Sequence, residues 1–129
     1  MQTAITQGIK VSVEVFYHAQ QSQPAAAQHV FAYRITIENQ SKLTVQLLRR
    51  HWYIFDTGQM TTREVEGEGV VGQQPILEPN ERHQYVSGCH LHSEMGWMRG
   101  TFLMQRFSDE KNFEVEIPTF KMIVPAKMN

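Results

Sequence analysis

Large apolar residues occupy every second position of the stretch Ile9-Lys10-Val11-Ser12-Val13-Glu14-Val15-Phe16-Tyr17. Side chains of a β-strand point alternately to the two faces of a sheet, so this period predicts a strand with one buried face. The same period recurs in the stretch Phe31-Ala32-Tyr33-Arg34-Ile35-Thr36-Ile37. Because no stretch shows helical periodicity, we expect the fold to be built from β-strands.

Further strands are predicted downstream, separated by polar or glycine-containing turns. They cover about residues 43–55, 60–65, 76–77, 84–87, 97–107 and 113–124, whereas residues 87–96 are expected to form a loop. Pro118 has no N–H group, so the last strand should lie at a sheet edge or contain a bulge. Short strands at this spacing predict an all-β fold, an immunoglobulin- or fibronectin type III-like antiparallel β-sandwich of about seven strands with Trp52 in its core.

Composition and charge restrict the function classes. Residues 1–129 are expected to form one domain. Twelve basic and thirteen acidic residues give a formal net charge of −1. Without a basic cluster, neither nucleic acid nor a membrane surface is expected as a partner. Cys89 is the single cysteine and residues 1–9 lack the pattern of a signal peptide, so we expect a soluble cytoplasmic protein. We expect no cofactor.

A glycine-rich segment, Gly67-Glu68-Gly69-Val70-Val71-Gly72, matches the dinucleotide-binding fingerprint G-x-G-x-x-G. That fingerprint binds pyrophosphate at the start of a helix, whereas here Pro75 and further β-type patterning follow. We therefore interpret Gly67, Gly69 and Gly72 as a loop shaped by close backbone approach. Contact of the loop's backbone N–H groups with an anion or a peptide is the alternative.

Three basic residues, Arg49-Arg50-His51, interrupt the most apolar predicted strand. Alternation places Arg49 and His51 on one face of the sheet and Arg50 on the other. Exposure to solvent would explain two of them. The more specific hypothesis is contact with an anion or a partner protein, since arginine forms paired hydrogen bonds with carboxylate and phosphate groups.

The segment Cys89-His90-Leu91-His92 contains three residues that bind transition metals. In an extended segment His90 and His92 would share one face and could chelate one ion. A polar surface loop with a partly buried thiol is the alternative. The sequence therefore predicts Cys89, His90 and His92 as candidate metal ligands.

No arrangement of catalytic residues is recognisable in the sequence. Asp56-Thr57-Gly58 resembles the active-site loop of an aspartic protease, but a hairpin turn explains the same three residues. Neither a nucleophile elbow nor a catalytic triad can be identified. We therefore expect a protein that is not an enzyme.

Several motifs together resemble the ApaG family over nearly the whole chain. These motifs are Val11-x-Val13, Tyr33-x-Ile35-x-Ile37-Glu38-Asn39, Leu47-Leu48-Arg49-Arg50-His51-Trp52, Val65-Glu66-Gly67-Glu68-Gly69-Val70-Val71-Gly72-x-x-Pro75, Tyr85-x-Ser87-Gly88-Cys89 and Met98-Arg99-Gly100. The resemblance implies a fibronectin type III-like sandwich. It also implies an indirect connection with cobalt and magnesium efflux, a role in protein interaction, and a nucleotide-binding segment that would use Gly67, Gly69 and Gly72.

Two functions are therefore expected from the sequence. The first is a non-enzymatic module that binds a protein partner of unknown identity through a sheet face and the glycine-rich segment, in a monomer or a homodimer joined at its sheet edges. The second is a regulator that binds a divalent metal, a nucleotide or pyrophosphate through the glycine-rich segment.

Overall fold

The computed structural model describes residues 1–125. Its regular structure consists of strands and two short 3-10 helices, Ala19–Gln21 and Pro24–Ala26. The strands are β1 (Gln2–Thr6), β2 (Ile9–Tyr17), β3 (His29–Asn39), β4 (Val45–Asp56), β5 (Thr61–Glu68), β6 (Ile76–Leu77), β7 (Arg82–Leu91), β8 (Met95–Arg106) and β9 (Asn112–Ile123). Within residues 1–125, no helix is long and apolar enough to cross a membrane.

The strands form two antiparallel sheets packed face to face. One sheet has the order β1-β2-β3-β7, and the other has the order β5-β4-β8-β9 with β6 paired to β4. The alternating residues of β2 point their apolar side chains into the space between the sheets, where Trp52 is only 2% exposed. The predicted immunoglobulin- or fibronectin-like antiparallel sandwich is confirmed.

Two details of the strands differ from what the sequence predicts. The residues described contain nine strands: the eight segments predicted from the sequence and β1, whose sequence pattern is too weak to identify it. Residues 87–96 are not one loop: β7 continues through Leu91 and β8 begins at Met95, so only a short turn separates them. The strand continues because Gly88 and Cys89 pair with Ala32 and Phe31 of β3.

Two bulges determine which side chains face the core. In β4 the pairing register shifts between Leu47 and Arg49, so Leu48 is an extra residue and the inward positions change from odd to even numbers. In β9 the register shifts beside Pro118, and β9 is also an edge strand. The structure thus confirms both features predicted from the proline.

The two long sides of the sandwich differ. On one side β1 and β9 meet near Thr6, whose Oγ1 accepts a hydrogen bond of 3.1 Å from the backbone N–H of Glu116, and a cavity of about 710 Å³ opens farther along that side beside Gln2 and Thr119. On the other side the edge strands β5 and β7 leave a cavity of about 480 Å³ between the sheets. We call this cavity the inter-sheet cleft.

Candidate functional site

The inter-sheet cleft brings together residues from all three predicted binding segments. Arg50 of β4, Val70 and Val71 of the glycine-rich segment, and Cys89 and His90 of β7 all line it. The bulge at position 48 places Arg50 on the inward face of β4, whereas Arg49 and His51 point outward, as alternation predicts. The structure therefore separates the predicted basic triplet between two surfaces.

Arg50 binds the end of β5. Its Nη1 donates hydrogen bonds to the carbonyl oxygens of Glu68 and Gly69, both at 3.0 Å. Gly67 pairs with Arg50 across the two strands, and a β-carbon on Gly67 would lie 2.9 Å from both terminal nitrogens of the guanidinium group. Gly67 therefore provides the space in which the Arg50 guanidinium lies.

The remaining glycines of the fingerprint form a tight turn. The backbones of Val70 and Gln73 exchange two hydrogen bonds, of 2.8 and 3.0 Å. Between them, Val71 and Gly72 both have positive φ, 48° and 76°, which is the geometry of a type I′ hairpin turn. Gly69 also has positive φ, and a β-carbon there would overlap the carbonyl oxygen of Gln73.

Extended chain follows this turn, since Ile76 and Leu77 pair with β4 as strand β6. No helix begins near Val71 in the part of the chain described. The helix that binds pyrophosphate in a dinucleotide-binding fold is therefore missing behind these glycines. Their geometry supports the interpretation of a loop shaped by close backbone approach.

Arg63 of β5 reaches across the cleft to β7 of the other sheet. Its Nη2 donates a hydrogen bond of 2.9 Å to the carbonyl oxygen of His90, and it lies 3.8 Å from Sγ of Cys89. Burial raises the pKa of the Cys89 thiol to about 11, although the Arg63 charge acts in the other direction. The thiol is therefore protonated at neutral pH and is a poor nucleophile.

The three candidate metal ligands do not form a cluster. Cys89 is buried and faces inward, whereas the neighbouring His90 is exposed on the other face of β7, and His92 follows the end of that strand. Within residues 1–125, no group of three His, Cys, Asp or Glu side chains is arranged to hold a metal ion. The physical reason is that these residues belong to a strand and not to a loop, so alternation turns Cys89 to the face opposite His90.

Strand alternation also separates the charges of the stretch Arg63-Glu64-Val65-Glu66 in β5. Glu64 and Glu66 of β5 are paired with Tyr53 and His51 of β4, so they share the outer face of the sheet with these residues. Arg63, which directly precedes Glu64, points into the cleft. The carboxylates and the guanidinium group of this stretch therefore lie on opposite faces of the sheet.

The outer face of the five-stranded sheet carries a row of stacked side chains. Phe55 and Trp97 are parallel, with ring centroids 4.1 Å apart. Beside them His51 stacks on Tyr53 at 4.5 Å, and the guanidinium carbon of Arg99 lies 4.7 Å from the centre of the Tyr53 ring. We call these five residues the aromatic row.

Sequence reasoning identified only His51 of the aromatic row. The alternate positions after His51 are Tyr53 and Phe55, and those in β8 are Trp97 and Arg99. The period of two therefore indicates that the residues from β4 share one face of their strand and that the two residues from β8 share one face of theirs. The pairing of β4 with β8 that joins its two halves could not be derived from local patterns.

His51 is also held by acidic neighbours. Its Nδ1 lies 3.2 Å from a carboxylate oxygen of Glu66, and its Nε2 lies 3.6 Å from one of Glu64. Arg49 lies on the same face, and Glu68 is the residue opposite it on β5. This part of the outer face is therefore lined by alternating basic and acidic side chains.

Asp56 of the protease-like motif has a structural role. Its Oδ2 accepts a hydrogen bond of 2.6 Å from the backbone N–H of His92, and its Oδ1 accepts hydrogen bonds from the Ser93 hydroxyl and, at 3.3 Å, from the Gly58 N–H. Burial opposes ionisation of the carboxyl group, but these hydrogen bonds lower the pKa of Asp56. The motif joins the turn after β4 to the turn before β8.

Comparison with known proteins identifies the family. The model of the ApaG domain matches residues 19–106. The chain is 46% identical over 127 residues to Protein ApaG of Brucella canis and 48% identical over 127 residues to Protein ApaG of Brucella anthropi, in each case over 98% of this chain and 96% of the relative.

A solved structure shows the same similarity. The crystal structure of an ApaA protein from Bordetella pertussis is 43% identical and superposes with a TM-score of 0.86, covering 91% of this chain and 94% of that one. The family resemblance predicted from the sequence motifs is confirmed. The chain belongs to the ApaG domain family.

Proposed function

We propose that this chain is a non-enzymatic interaction module that binds a partner protein through the aromatic row. The observation that carries the proposal is the stacked pair Phe55–Trp97, in which Phe55 is half-buried and Trp97 remains 37% accessible on an open sheet face. Tryptophan, tyrosine and arginine are the residues that most often dominate the binding energy of protein interfaces. The aromatic row presents all three.

The rigidity of the row favours binding. Its side chains are already stacked on one another, so little rotamer entropy is lost when a partner covers them. The glutamates of β5 and Arg49 flank the row and would select a partner with complementary charges. We place the module in the cytoplasm. Following the efflux role implied by the family resemblance, we connect it indirectly with cobalt and magnesium homeostasis.

The proposal is tested by comparing two exposed aromatic residues on opposite faces of the sandwich. Trp97→Ala removes the exposed tryptophan of the row. Phe16→Ala is the matched control, because Phe16 is 44% exposed on the other sheet and lies beneath Arg34, 5.2 Å from its ring centre, as Tyr53 of the row lies beneath Arg99. Both variants are first compared with the wild type by circular dichroism and thermal unfolding.

A protein captured from a native lysate by the wild type is then purified, and its affinity is measured by calorimetry. We expect Trp97→Ala to weaken binding by at least about tenfold, the effect of a hot-spot residue, and Phe16→Ala to change it by less than about twofold. Equal affinities of the wild type and Trp97→Ala would refute binding through the aromatic row.

A further inference from the structure

The inter-sheet cleft has the size and the walls of a small-molecule site. Its volume of about 480 Å³ lies within the range of roughly 300–1,000 Å³ that is usual for ligand pockets. Its apolar floor consists of the buried residues Trp52, Ile54, Val70 and Met98, and the exposed Val65 lies nearer the mouth. It opens on the inward side of β4 and β5, away from the aromatic row.

The polar groups of the cleft are hydrogen-bond donors. Its lining includes the guanidinium groups of Arg50 and Arg63 and the hydroxyl groups of Tyr33, Tyr85 and Ser87, but no aspartate or glutamate from residues 1–125. Both positive charges come from adjacent strands of the same sheet and face the gap between the sheets, and no carboxylate lines the cleft beside them. Such a cleft attracts an anion.

Tyr85 provides the most specific observation. Its hydroxyl oxygen is buried, and it has no hydrogen-bond partner among residues 1–125. Buried hydroxyl groups in proteins are nearly always paired, because an unpaired one loses its bonds to water without replacement. Burial also raises the pKa of Tyr85, so the group remains protonated and can donate. The cleft therefore contains a donor that lacks an acceptor.

Arg50 is held in place for such a contact. Its Nη1 is bound to two backbone carbonyl groups, so the guanidinium plane is fixed while Nη2 and Nε retain their donors. Arg63 is fixed in the same way by the carbonyl oxygen of His90. The two guanidinium groups are therefore held in fixed orientations before a ligand binds.

We infer that the inter-sheet cleft binds a small organic anion. Its carboxylate or phosphate monoester group accepts hydrogen bonds from Arg50, Arg63 and the Tyr85 hydroxyl, and its aromatic or branched apolar body packs against Trp52 and Met98. The backbone N–H groups of the glycine-rich turn are not needed, since that turn only shapes the rim. This site is separate from the aromatic row, so either function can be present without the other.

The test is an NMR titration of the ¹⁵N-labelled full chain with phenyl phosphate, 3-phenylpropionate and the neutral 3-phenylpropionamide. We expect saturable shifts of the amides of Gly67, Gly69 and Gly88, with a dissociation constant of about 1 mM or tighter for at least one anion, as for a fragment-sized ligand. Tighter binding of phenyl phosphate or of 3-phenylpropionate assigns the head group as phosphate or carboxylate.

Variants locate the binding. Arg63→Gln should weaken it at least about tenfold, and Tyr85→Phe should weaken it about fivefold. Arg34→Gln removes the same charge from the outer face of the other sheet and should leave the affinity within about twofold of the wild type. Absence of saturable shifts with both anions, equal affinity for the neutral amide, or undiminished binding by Arg63→Gln would each overturn the proposal.

Discussion

The guanidinium group of Arg50 lies against the α-carbon of Gly67 on the neighbouring strand. A β-carbon at position 67 would stand 2.9 Å from both Nη1 and Nη2 of Arg50, although the φ angle of Gly67 lies outside the left-handed region. The first glycine of the fingerprint is thus explained by side-chain packing. The other two are explained by positive φ angles.

Replacing Gly67 by alanine should destabilise the protein. The new methyl group displaces the end of the flexible Arg50 side chain and weakens its hydrogen bonds to the carbonyl groups of Glu68 and Gly69, so we expect the free energy of unfolding to fall by about 1 kcal/mol. The measurement is urea denaturation. Gly88→Ala is the control, because its β-carbon would meet nothing closer than the Phe31 carbonyl oxygen at 3.5 Å. A loss for Gly88→Ala as large as that for Gly67→Ala would contradict this explanation.

Replacing Val71 by asparagine should stabilise the protein. Val71 is 64% exposed and has a φ of 48°, a conformation that is costly for a β-branched residue. An asparagine followed by Gly72 would give the preferred sequence of a type I′ turn, so we expect a gain of about 1 kcal/mol in thermal or urea unfolding. Val86→Asn is the control in a regular strand, and it should show no gain. A destabilised Val71→Asn variant would mean that the Val71 side chain makes a contact worth more than the strain.

The strand pattern predicts much of the fold, whereas the site depends on pairings between distant segments. The nine residues from Ile9 to Tyr17 form β2 with the predicted boundaries, since alternation is a local property. The cleft depends instead on the bulge at Leu48, which turns Arg50 inward, and on the position of β5 opposite β7. Neither feature has a local signature. The unpaired hydroxyl group of Tyr85 likewise emerges only when both sheets are in place.

Stability at low pH should depend on Asp56. Its hydrogen bonds from Ser93 and from the His92 backbone hold the folded-state pKa below the unfolded value, so the carboxylate contributes stability above about pH 4 and this contribution is lost as the pH falls through the folded-state pKa. Asp56→Asn should lower the free energy of unfolding at pH 7 by about 1.5–3 kcal/mol and flatten the pH profile between about pH 5 and 2.

The control for this profile is Asp109→Asn. Asp109 is the other aspartate of the chain, and it lies in a solvent-exposed turn where water and salt screen its interactions. Its replacement should leave the acid limb of the profile close to that of the wild type, as followed by urea unfolding at a series of pH values. An Asp56→Asn variant that retains the full acid dependence would assign that dependence to other carboxyl groups.

Replacing Tyr85 by phenylalanine should stabilise the unliganded protein. The hydroxyl group is buried without a partner, so its removal abolishes a desolvation cost and keeps the packing of the ring; we expect a gain of about 1 kcal/mol in urea unfolding. Tyr33→Phe is the matched control in the same cleft. Burial raises the pKa of Tyr33 and the neighbouring Ser87 side chain opposes this shift, so the hydroxyl group has a polar partner and its removal should cost about 1 kcal/mol. If both variants lose stability equally, the Tyr85 hydroxyl already has a hydrogen-bond partner in the unliganded protein. It would then not be a free donor for an anion.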